Sequence, residues 1–183
     1  MDSSLILKPT AVAQWHSLVC EAQTQSGHNL DESLQSYLVF LLMRFADKPN
    51  LLNDVMASDY LDAMQADNRK QDKLRDVGDK CLLFSGFFPQ VAARKLVRIS
   101  YFVNIGRSAY DQVADSADSK VRELYKNLVH AFVPVMDVLH TMRSLDGNPP
   151  LSAEQAVELW SDTGSQSAYR MLKQHYQVIP FPV

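Results

Sequence analysis

Residues 120–144 read KVRELYKNLVHAFVPVMDVLHTMRS, from Lys120 to Ser144. Val121, Leu124, Tyr125, Leu128, Ala131, Phe132, Val135, Val138, Leu139 and Met142 recur at the three-and-four spacing of one helix face. Pro134 sits inside the run. It has no amide hydrogen, and its ring crowds the carbonyl four residues back, so a kink is expected there.

The same period extends in both directions. Val12, Trp15, Leu18, Val19 and Ala22 predict a helix from Thr10 to Gln25, with Pro9 before it and Gly27 after it. Asn29 and Glu32 stand at the spacing of a capping box. The helix they open carries Leu34, Tyr37, Leu38, Phe40, Leu41, Leu42, Met43 and Phe45, apolar on more than one side, which predicts a central helix. Pro49 ends it. A short element is expected at Leu51–Met56, and Ser58 is the expected cap of the next helix. Residues 66–80 are strongly charged and read as a solvated face. Gly86 fits the position just past a helix end, and Pro89 the first turn of a short helix to Val97. A helix from about Ser100 to Ala117 follows. Gly147-Asn148-Pro149-Pro150 is a loop, Ser152 and Gln155 form a second capping box, and Ser165–Tyr176 is a last helix before an extended tail at 177–183. No strand alternation and no long-period repeat is present. The expected fold is all-α: one bundle-like domain, residues 1–183, of about seven or eight helices.

Composition agrees. The chain has 183 residues, 46% apolar and 21% charged, with a net charge of −3. That is a globular composition with no global drive toward nucleic acid or anionic membrane. A chain of this length buries about 70% of its unfolded surface, enough to fold without disulfides or metal. The first residues lack a basic segment followed by a long apolar one, and no apolar run reaches membrane-spanning length. Cys20 and Cys81 form no CxxC pair and read as reduced thiols. A cytoplasmic location is expected.

Several motifs spell chemistry without supporting it. Asp162-Thr163-Gly164 matches the aspartic-protease triplet, but that chemistry needs paired aspartates on strand loops. Thr163-Gly164 is better read as a helix end. Gly106-Arg107-Ser108-Ala109-Tyr110 lacks the second glycine and the preceding strand of a nucleophile elbow. Gly106, Ser108 and Ala109 are better read as small residues that admit a neighbouring helix. Glu123, His130, Asp137 and His140 would line one side of a continuous helix and are weak metal candidates, although no Glu-x-x-His is present. His16, beside Trp15, is the one residue placed as a haem ligand would be in a helical haem-binding bundle.

The least ordinary feature is electrostatic. From Lys80 to Tyr110 the bases Lys80, Arg94, Lys95, Arg98 and Arg107 occur with no acid, among Phe84, Phe87, Phe88, Tyr101, Phe102 and Tyr110. Such interleaving suits an anion or a single-stranded nucleic acid. The negative total charge argues against nucleic acid, and pairing of the arginines with Asp72, Asp76 and Asp79 is the preferred expectation.

The run Gly78-Asp79, Leu83, Ser85-Gly86-Phe87-Phe88-Pro89, Arg94, Tyr101 and Gly106-x-Ser108-Ala109-Tyr110, with Tyr37-Leu38-x-Phe40-Leu41-Leu42-x-Arg44-Phe45, resembles a group of uncharacterised proteobacterial proteins of similar length. The resemblance spans roughly 15–110 and implies a bacterial cytoplasmic protein without assigned activity. Within it Asp79, Arg94, Tyr101, Ser108 and Tyr110 are polar residues among apolar neighbours. Buried polar groups must be bonded, so Asp79 is expected to pair with Arg94 or Arg98, with a tyrosine hydroxyl completing a clamp or a pocket floor. The functional expectation is a non-catalytic interaction module, with a homodimer, another protein or a small anion as partner and no cofactor. A metal- or haem-dependent helical enzyme is the second reading, and an anion or nucleic-acid binder through 80–110 the third.

Overall fold

The computed structural model describes residues 10–46, 56–66 and 68–176. Among these are ten helices and no strand: α1 (Ala11–Ser26), α2 (Glu32–Ala46), α3 (Met56–Gln65), α4 (Lys70–Gly86), α5 (Gln90–Arg94), α6 (Ile99–Ser116), α7 (Ser119–His130), α8 (Phe132–Leu145), α9 (Ala153–Thr163) and α10 (Gln166–His175). The expected element beginning at Leu51 and the tail at 177–183 lie outside the described residues.

The all-α reading holds, with a larger helix count. The expected 120–144 helix is two helices that meet at Ala131. Pro134 stands in the first turn of α8, where its missing amide costs nothing. The effect of the proline is thus a break rather than a kink.

Local signals account for several helix ends. The Thr10 hydroxyl accepts from the Ala13 amide, and α1 stops at Gly27 with φ +69°. Ser152 and Gln155 form the expected capping box. The cap of α2 differs. Asp31, not Asn29, accepts from the Leu34 amide at 2.9 Å and from the Ser33 hydroxyl at 2.6 Å. The Leu30 amide is bonded to Gln23 on α1, and the helix opens two residues later than the sequence reading places it.

The centre is α4 against α6, not α2. From Cys81 to Gly86 every residue of α4 is buried, and α6 buries Phe102, Val103, Gly106, Ala109, Tyr110 and Val113 toward it. A Cβ at Gly106 would fall 2.6 Å from the Phe132 ring and 2.8 Å from Cys81. Close approach is therefore what this glycine permits, as its sequence context indicates. Gly86 also serves close approach rather than a left-handed helix end: it is the last residue of α4, and a Cβ there would meet Leu139 at 2.7 Å. α2 packs on α1 and α7 and turns Phe40 outward, 61% exposed. The buried apolar residues of all these helices form one core. No helix among the described residues is long and apolar enough to cross a membrane.

Candidate functional site

Three constellations contain the polar and exposed apolar residues of interest. The first is centred on Asp79, buried on α4. Tyr37 donates to its Oδ1 at 2.5 Å and Tyr110 to the same oxygen at 2.7 Å. The Arg44 guanidinium donates to Oδ2, and its other terminal nitrogen reaches Asp76 at 3.3 Å. Burial raises the Asp79 carboxyl above the usual carboxylate value, and Arg44 with the two hydroxyls restrains that rise. Burial also pushes both tyrosines well above 10. The hydroxyls therefore stay protonated and act as donors. A cleft of about 180 Å³ lies beside them, lined by Leu41, Arg44, Arg75, Asp76, Asp79, Lys80 and Leu83.

The network replaces the expected one in its base. Arg44 of α2, not Arg94 or Arg98, is the partner of Asp79. Arg98 instead reaches α9, with Glu158 at 3.3 Å and Asp162 at 3.3 Å. Arg94 and Ser108 are exposed, and Tyr101 packs edge-on against Phe102. Of the six residues proposed from sequence, only Asp79 and Tyr110 meet. Arg44 was in view in the resembling run, seven residues and two turns after Tyr37. That spacing puts both side chains on one face of α2 and was the signal that they share a target.

The second constellation surrounds Asp137, also fully buried. It accepts from the Ser165 hydroxyl at 2.5 Å, from the Gln166 and Ser167 amides at 2.9 and 3.2 Å, and from His28 Nε2 at 3.0 Å. A carboxylate at the first turn of α10 thus satisfies amides that the helix cannot pair itself. His140 points elsewhere. Its Nε2 lies 2.8 Å from the Ser85 carbonyl, which can only accept, so Nε2 carries the proton. Burial pushes this imidazole below its usual value. Glu123 and His130 lie exposed on α7. The break at Ala131 thus separates His130 and Glu123 from Asp137 and His140. Among the described residues no three His, Cys, Asp or Glu side chains are grouped to hold a metal. His16 is exposed on α1, with Cys20 Sγ 3.7 Å from its Nδ1.

The third constellation is a groove of about 340 Å³ lined by Trp15, Leu18 and Glu21 of α1, Phe87, and Met142, Leu145 and Asp146 at the end of α8. Leu18 is 44% exposed and Leu145 43%. Glu21 and Asp146 are exposed acids beside an apolar floor. Trp15 and Leu18 belong to the apolar stripe of α1, of which only Val19 and Ala22 are fully buried. No family model, curated protein or solved structure matches this chain.

Proposed function

We propose that the protein is a non-catalytic interaction module that receives the apolar side chains of a protein partner in the groove between α1 and α8. The observation that carries this reading is the groove itself: exposed leucines and a tryptophan around an apolar floor, with two acids at its edge. Apolar surface left in contact with water marks a site of association when it is gathered in one concave patch. Asp79 and Asp137 support the reading in a second way. Each is fully engaged in bonds that tie helices together, which is scaffold work. A bacterial cytoplasmic setting belongs to the same reading, supported by free thiols at Cys20 and Cys81 and by the resemblance over 15–110.

Trp15 supplies the test. In a Trp160→Phe background it is the only tryptophan. Titration with the neutral apolar dye Nile red is expected to quench Trp15 emission, and Leu18→Asp is expected to abolish the quenching while leaving the melting temperature nearly unchanged. No dye-dependent change in Trp15, or a change that survives both Leu18→Asp and Leu145→Asp, would refute the groove as an apolar docking site.

A further inference from the structure

The turn after α5 is built in an unusual way. The Val97 amide donates to the Ala92 carbonyl at 3.0 Å, and the Leu96 amide to the Ala93 carbonyl at 3.1 Å. This pair of bonds is the Schellman motif, whose left-handed position is normally glycine. Here it is Leu96, with φ +54°, the only described non-glycine residue with positive φ. A branched, bulky side chain is disfavoured in that conformation because its Cβ crowds the following carbonyl. The side chain gains nothing in return within the monomer, since Leu96 is 93% exposed. A leucine that strains the backbone and buries no surface is explained by burial in something else.

Its surroundings indicate what. Arg94 is exposed on one side, Lys95 adjoins it, and Arg98 stands 60% exposed on the other side even while it reaches α9. No acid occurs anywhere from Lys80 to Tyr110. In space Arg98 is matched by Glu158 and Asp162 of α9, so the corner is an apolar knob whose basic flank is Arg94 with Lys95. The groove of the same molecule has the complementary character, an apolar floor with Glu21 and Asp146 at its edge. We infer that the occupant of the groove is the Leu96 corner of a second copy of this chain. The pairing is twofold, so that each copy gives one knob and receives one. The inference rests on the docking reading above and adds the partner to it.

The experiment is sedimentation equilibrium of the full chain over a wide concentration range, with a melting curve for each variant. Wild type is expected to pass from one-copy to two-copy mass as concentration rises. Leu96→Gly is expected to fold at least as firmly, because glycine suits the left-handed position. It is also expected to weaken the dimer about a hundredfold or more, the loss that follows from two unburied leucines, one from each copy. Glu21→Arg and Arg94→Glu are each expected to weaken the dimer, and the two together to restore it. A wild type that keeps one-copy mass throughout would overturn the partner; if Nile red still quenches Trp15, the docking groove stands without it. Dimerisation that Leu96→Gly leaves unchanged would also overturn it, as would failure of the charge-reversed pair to recover.

Discussion

At Gly78 a hydrogen faces the ring of Tyr110, and a Cβ in its place would collide with that ring. The ring cannot retreat, because its hydroxyl is bonded to Asp79 one residue along α4. Gly78→Ala is therefore expected to destabilise by about 1–3 kcal/mol, read from the urea midpoint; a neutral substitution would mean that Tyr110 is free to move. Asp79→Asn keeps the volume and removes the charge. It leaves Arg44 with only its more exposed contact to Asp76 and gives two hydroxyls a weaker acceptor, a loss of about 1–3 kcal/mol, with Tyr110→Phe costing about 1 kcal/mol. His140 sets an acid limit. Its pKa is lowered in the folded state by burial, so the unfolded chain takes up the proton first. Its contribution is fully present above about pH 6.5 and is lost as pH falls below that value toward the folded pKa. Urea midpoints followed from pH 7 to 5 should fall, and His140→Gln should flatten part of the slope. An identical slope in that variant would assign the acid sensitivity to other groups.

On the scale of helices, the informative case is the α7–α8 pair. Its period of apolar residues was legible because each half is a regular helix with its own buried face. The alignment of Glu123 and His130 with Asp137 was not, since it assumes an unbroken phase through Pro134. Once the chain breaks at Ala131, His130 and Asp137 no longer share a face. Asp137 is then free to do what no local pattern reveals: it caps a helix 28 residues downstream in the chain and holds His28 of the α1–α2 turn. Asp137→Asn should therefore loosen α10. The expected cost is about 1–3 kcal/mol, with faster amide exchange at residues 166–168 than elsewhere. Uniform loosening would show that the carboxylate is not specifically a cap. Capping boxes behave differently because they are local, and the Ser152 box was readable for that reason. The α2 cap stands two residues later, at Asp31, whose bonds to Ser33 and Leu34 are as local as those expected of Asn29; the pattern offers both caps and does not choose between them.

For the whole molecule, the all-α class follows from periodicity alone, but the arrangement does not. The central place of α4 depends on Gly78 and Gly86, whose meaning appears only when Tyr110 and Leu139 are brought against them. The charged half of that helix disguised its buried half. Likewise the groove collects α1, Phe87 and the end of α8, three stretches far apart in the chain, and the exposed Leu96 reads in sequence as one more apolar residue. The measurement that tests the docking account most directly is amide hydrogen exchange at dilute and at high protein concentration. The account predicts that exchange slows at high concentration in three places together: residues 15–21 of α1, residues 142–146 at the end of α8, and the corner at 95–98. Exchange that is independent of concentration, or slowing confined to helices such as α3 and α7 away from both the groove and the corner, would contradict it.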